Sequence, residues 1–127
     1  MSLSDKIHQG ALRGNVLARE CPSREVLQHV TSRWGVLVLI ALQKGTLRFA
    51  ELRRLVGGVS DRMLAQTLQL LEKDGFVLRT DHHEVPPRVD YSLTPAGLEV
   101  AERVRVLVDW IEDNISDILQ NRPDQAA

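Results

Sequence analysis

Apolar positions recur along this chain in two rhythms, and the change between them outlines its parts. Leu64, Leu68 and Leu71 are spaced by four and three residues, which puts them on one side of a helix from Ser60 to Asp74, facing a core. Arg62, Gln66, Gln69 and Lys73 repeat with the same rhythm on the opposite side. Ser60 suits the N-cap, where its hydroxyl can accept from a free backbone N–H. Gly75 suits the C-terminal position that tolerates a left-handed backbone. Upstream, Phe49, Leu52 and Leu55 mark one face of a shorter helix, and Gly57-Gly58-Val59 has the length of turn that joins two such helices. A helix–turn–helix is therefore expected over 49–75. Past Gly75 the period becomes two. Phe76, Leu78 and Thr80 alternate with Val77 and Arg79, and Val89, Tyr91 and Leu93 alternate with Arg88, Asp90 and Ser92. The polar loop between them carries Pro86 and Pro87, so the pattern predicts a hairpin, or wing, over 76–93.

The flanks extend this picture. Pro22 fits the first turn of a helix, where its missing N–H costs nothing, and Val26, Leu27 and Val30 follow at helical spacing. The run Val36 to Leu42 favours a buried central helix, although Val36, Val38 and Ile40 leave a strand open. Leu47 is read as a single short strand. Thr94 and Pro95 then start a last helix over 95–121. Along it Ala101, Val104, Val108, Ile111, Ile115 and Ile118 form a heptad-like seam, widened by Val100, Leu107 and Trp110. At 1.5 Å per residue this helix would be about 35–40 Å long, more than a small domain covers. A dimer seam through Val104, Leu107, Val108, Ile111 and Ile115 accounts for the excess. Residues 1–20 show no sustained period and read as a flexible arm, or a short helix packed only against a partner; 123–127 reads as a tail. The expected fold class is mainly α with a small β-hairpin (α+β): one winged helix–turn–helix domain over 21–122, including the long C-terminal dimerisation helix.

Composition adds limits. A chain of 127 residues suits one domain. No apolar run approaches the ~20 residues of a membrane span, and no leader pattern is visible, so a cytoplasmic location is expected. The lone Cys21 excludes an internal disulfide. A net charge of −1 is low for a nucleic-acid binder, but its distribution is uneven. Before Lys44 the basic residues Lys6, Arg13, Arg19, Arg24 and Arg33 outnumber Asp5, Glu20 and Glu25. After Ser92 acidic residues dominate, so the C-terminal segment is expected to face away from DNA.

The outer face of the 60–74 helix has the groups that a major-groove reader uses, since Arg pairs with guanine and Gln with adenine. Most such faces are simply solvated, so this face alone does not establish DNA binding. The wing that follows it raises the expectation. Arg62 and Gln66 are placed to reach base edges, supported by Ser60 and Gln69, while Arg48, Arg53 and Arg88 suit phosphate or minor-groove contact. The rival is a winged-helix protein-interaction module, which predicts apolar anchors on that face. Enzyme chemistry, cofactor and metal are not expected. His82-His83-Glu84 lacks further ligands, Gly57-Gly58 lacks a phosphate-loop lysine, and His29 is about two helical turns from Cys21.

Several motifs together resemble one family. These are Cys21-Pro22, Arg33-Trp34, Arg48-Phe49-x-Glu51-Leu52-Arg53-Arg54, Val59-Ser60-x-x-Met63-Leu64, Leu68-x-x-Leu71-Glu72-x-Asp74-Gly75-Phe76, Val85-Pro86-Pro87-x-Val89-x-Tyr91-Ser92-Leu93-Thr94-Pro95-x-Gly97 and Trp110. Between Cys21 and about Trp110 the chain resembles the HxlR-type winged-helix transcriptional regulators. It departs from their pattern at Gln66, often basic there, and at Asp61, often proline or a small residue. The resemblance implies a homodimer on double-stranded operator DNA with an inverted repeat, and an oxidant or electrophile sensed in some members through the cysteine matched by Cys21. Pro22 would put that sulfur at a helix N-terminus, where thiolate is favoured, with Arg19 and Arg24 adding to the field.

Overall fold

In a computed structural model the described residues are 2–8, 10 and 13–123. The elements are α1 (Leu3–His8), α2 (Pro22–Thr31), α3 (Arg33–Leu42), β1 (Leu47–Arg48), α4 (Phe49–Leu55), α5 (Asp61–Lys73), β2 (Val77–Asp81), β3 (Val89–Leu93) and α6 (Pro95–Gln120). The helix–turn–helix and the hairpin stand where the periodicity put them, with the strand edges shifted by about one residue. Of the tail, residues 124–127 lie outside the described residues.

Helix α3 is the centre. It touches α2, α4, α5, α6 and β3, and Val38, Leu39, Ala41 and Leu42 are buried on it. The apolar run is thus a helix despite its β-branched residues, because tertiary burial overrides a weak local preference. Leu52 of α4 and Leu64, Leu68 and Leu71 of α5 pack into the same core. Each such leucine contributes roughly 2 kcal/mol through apolar burial. Leu55 departs from the expected apolar face. It is exposed and lines, with Leu37 and Ile40, an open groove between α3 and α4.

The caps follow the sequence. Ser60 accepts from the Met63 N–H at 3.1 Å, and Thr94 accepts from the Gly97 N–H at 3.0 Å. Helix α5 ends with Gly75 at φ 84°. There the Phe76 N–H reaches the Leu71 carbonyl at 2.9 Å and the Gly75 N–H reaches that of Glu72 at 3.0 Å. A side chain at that φ would be strained, so glycine stops the helix and turns the chain into the wing. The joint is tied to α6, because the Thr94 hydroxyl donates to the Gly75 carbonyl at 2.6 Å. His29 Nδ1 also lies 2.6 Å from Asp74 Oδ2, fastening α2 to the end of α5.

The sheet has three strands in the order β1-β3-β2, both pairs antiparallel. Val77 pairs with Leu93, Arg79 with Tyr91, and Asp81 with Val89; on the other side of β3, Leu47 meets Tyr91 and Arg48 meets Asp90. Val77 faces the core while Leu78 is exposed. Alternation had shown the period but not which phase of it is buried.

Helix α6 has 26 residues, about 39 Å. Ala101 is fully buried, Val100 and Val104 pack on the core, and Arg105 Nε donates to Gln43 Oε1 at 3.0 Å. Farther along, Leu107, Trp110, Ile111, Ile115 and Leu119 are exposed, Trp110 to 59 %. No helix among the described residues is long and apolar enough to cross a membrane.

Candidate nucleic-acid interface

The sequence-selected residues divide into two groups. Arg62, Gln66 and Gln69 project from the exposed side of α5. Among the described residues they make no side-chain hydrogen bond or ion pair, so their donors stand free. Ser60 is exposed beside them at the N-cap. The only large apolar side chain of α5 that is exposed is Met63, at its N-terminal end.

The three arginines expected at the backbone are engaged within the protein. Arg53 Nε donates to the Val59 carbonyl at 3.1 Å, and its Nη1 lies 3.0 Å from Asp61 Oδ1. It braces the turn between α4 and α5 from outside. Arg88 Nη2 donates to Asp90 Oδ2 at 3.2 Å, and Arg48 Nε lies 3.9 Å from Asp90 Oδ1. His82 Nε2 is 2.8 Å from Asp90 Oδ2. The His82 hydrogen bond first, then Arg88, holds the Asp90 carboxyl below the usual carboxylate range. Sequence reading missed Asp90. Its signal was an acidic residue between two apolar positions of a strand, and only pairing against Arg48 gives it meaning.

Cys21 is the N-cap of α2 and is 3 % exposed. Its Sγ accepts from the Asn15 N–H at 3.2 Å and lies 3.0 Å from Ser23 Oγ. The Ser23 hydroxyl chiefly, then the Asn15 and Ser23 backbone N–H groups, lowers the thiol pKa, while burial and Glu20 oppose this. The expected arginine field is not among these causes. Arg24 is turned away to donate to the Val16 and Leu17 carbonyls at 3.1 Å. It thereby ties residues 16–17 to the start of α2. Cys21 borders a cavity of about 340 Å³ lined also by Arg19, Glu20, Pro22, Arg24, Glu25 and Gln28. Among the described residues no cluster of His, Cys, Asp or Glu has a metal-binding arrangement. His82 and His83 diverge, one toward Asp90 and the other toward Asp81.

A free Arg/Gln face on the second helix, a wing after it and a long helix behind are arranged as in one family, and the HxlR-like helix–turn–helix model matches residues 29–118. The chain belongs to the HxlR family. This HxlR-type protein is 56 % identical over 127 residues to the uncharacterized HTH-type transcriptional regulator YtfH of Escherichia coli (strain K12), covering 100 % of this chain and 98 % of that one. A solved structure of a transcriptional regulator described as YtfH, from Salmonella typhimurium, superposes with a TM-score of 0.83 at 59 % identity, over 87 % of this chain and 98 % of that one. The redox regulator HypR in its reduced form superposes with a TM-score of 0.71 at 35 % identity, covering 80 % and 99 %. The HxlR-type chain is thus a helix–turn–helix transcriptional regulator, and its family is one of regulators, not enzymes.

Proposed function

We propose that this regulator binds, as a homodimer, an inverted-repeat operator in double-stranded DNA, with α5 in the major groove and the wing on the flanking backbone. The observation that carries the reading is the free Arg62/Gln66/Gln69 face on α5. A protein-docking face would carry large apolar anchors, and among the described residues α5 exposes only Met63 of that kind. Arg62 and Gln66 read base edges, Ser60 and Gln69 support them, and Arg48, Arg53 and Arg88 meet phosphates with the donors their internal bonds leave over. The dimer forms through Val104, Leu107, Val108, Ile111 and Ile115 of α6, which sets two copies of α5 about one DNA turn apart, roughly 34 Å.

Two substitutions test the assignment by binding titration at several salt concentrations. Arg62→Ala is expected to weaken the operator by about 1–3 kcal/mol and to relax base preference. Arg88→Ala should weaken binding to every sequence and reduce the salt slope by about one. Parent-like binding by both variants would remove this surface from consideration.

The signal belongs to Cys21. Its lowered pKa favours the thiolate that attacks oxidants and electrophiles, and a relative of similar fold is a redox regulator. Cys21 is 3 % exposed and borders the cavity beside Arg19, Glu20 and Gln28, which brings reagent to its edge. With diamide, the thiolate adds to the N=N bond and a second thiol displaces the adduct, leaving a disulfide and the reduced hydrazine. That second thiol is Cys21 of the other protomer or a small thiol. A Cys21–Cys21 bridge needs α-carbons within about 7 Å. Diamide in the presence of a small thiol is expected to change operator affinity of the parent by about 5–150-fold and leave Cys21→Ser unaffected. Unchanged parent affinity after confirmed thiol modification reduces Cys21 to a packing residue.

A further inference from the structure

Four ionisable side chains meet at the base of the wing, and they come from β1, β3 and the wing loop. Asp90 sits in the central strand, with Arg48 of β1 opposite it on one side and Thr80 of β2 on the other. It is only 9 % exposed. Its Oδ2 accepts from His82 at 2.8 Å and from Arg88 at 3.2 Å, while Oδ1 faces Arg48 at 3.9 Å. The Arg48 and Arg88 side chains themselves are well exposed, at 56 % and 41 %. Arg88 Nε is buried without a hydrogen-bond partner among the described residues, so holding this conformation has a cost.

A carboxylate at the centre of a surface that meets phosphates repels them, so its presence needs a reason other than affinity. We infer that Asp90 is a positioning residue for sequence discrimination, which rests on the DNA-binding reading above. Arg88 gives one N–H to Asp90 and Arg48 faces it at ion-pair distance, 3.9 Å, so both exposed guanidinium groups keep further donors free. Asp90 thus draws together two guanidinium groups from separate segments, Arg88 at the end of the wing loop by a hydrogen bond and Arg48 at the start of α4 by charge. Phosphate contacts carry no sequence information directly, but they fix the register in which a helix meets base edges. Asp90 therefore acts on base discrimination through Arg48 and Arg88 without touching a base. Nothing in this requires a high affinity from Asp90 itself; its own charge lowers the affinity for every sequence.

The test uses full-length protein and two labelled duplexes of roughly 30 base pairs, enough for two half-sites. One is selected from a random-sequence pool by the parent; the other is a scramble of it. Asp90→Asn keeps the shape and removes the charge. The scrambled duplex should bind as tightly as to the parent or more tightly, and the selected duplex about tenfold more weakly, so the ratio collapses while the salt slope does not fall. An equal gain on both duplexes would make Asp90 a mere counter-charge. A lower melting temperature with an unchanged ratio would make it fold glue. Either result overturns the inference. Should Asp90→Asn not fold, the double variant Arg48→Lys with Arg88→Lys keeps every charge and removes the forks. A fallen ratio there supports the inference and an unchanged one overturns it. A parent that selects no sequence removes the DNA reading and this inference together, whereas a selective parent with unchanged variants removes this inference alone.

Discussion

Ile111→Asp is expected to produce a folded monomer that has lost operator binding. In the protomer Ile111 is 41 % exposed, so a carboxylate there is solvated and the domain beneath keeps its core. In the proposed α6 seam the same carboxylate is taken out of water without a cation, and twofold symmetry places two of them in one interface. The penalty is several kcal/mol, so a dissociation constant raised about a thousandfold, roughly 4 kcal/mol, is a conservative expectation. Monomers must then bind each half-site separately and lose the effective concentration supplied by the linked copy. Val108→Asp is a poorer probe because Val108 is half-buried in its own protomer, so unfolding and dissociation would be confounded. Sedimentation of Ile111→Asp decides the matter. A variant dimer as tight as the parent's would move the interface elsewhere, and a parent that is itself a folded monomer competent for operator would end the dimer proposal.

The parts of this molecule that sequence made legible are those where one residue's chemistry suffices. Ser60, Thr94, Pro22, Pro95 and Gly75 each meet a local backbone requirement, and each stands at the helix end that requirement marks. The apolar spacing of α5 likewise needs no partner to be interpreted. What escaped depends on pairing across the chain. Asp90 is an ordinary strand residue until β1 is laid beside β3 and His82 folds back over it. Arg53 is one of two adjacent arginines until the turn brings Val59 and Asp61 to it. Cys21 was legible as a helix-end thiol beside Ser23 of α2, but Asn15, which donates to it, comes from a loop without periodicity. The α6 stripe was readable as surplus apolar surface, since a helix longer than its domain cannot be buried by it.

Gly97→Ala is expected to destabilise the protein by about 3 kcal/mol or more, although the same change on an open helix surface would stabilise it by about 1 kcal/mol. A Cβ at Gly97 would lie 1.9 Å from the Phe76 carbonyl oxygen and 2.9 Å from its carbon. Both are backbone atoms, so no side-chain rotation relieves the clash; α6 must lift away from the end of α5. That movement strains the hydrogen bonds from the Thr94 N–H to the Phe76 carbonyl and from the Thr94 hydroxyl to the Gly75 carbonyl. These bonds join α5 to α6, the element proposed to hold the dimer. The variant should therefore lose operator affinity beyond what its lower stability explains, through altered spacing of the two copies of α5. Gly57→Ala supplies the control, because a Cβ there meets nothing within 4 Å and its φ is not positive. It should be neutral or slightly stabilising. Thermal or urea unfolding at equal protomer concentration separates the two, with a fall of roughly 10 °C expected for Gly97→Ala. A Gly97→Ala protein as stable as the Gly57→Ala control would show that α6 can shift without cost, and the tight α5–α6 joint described here would then be wrong.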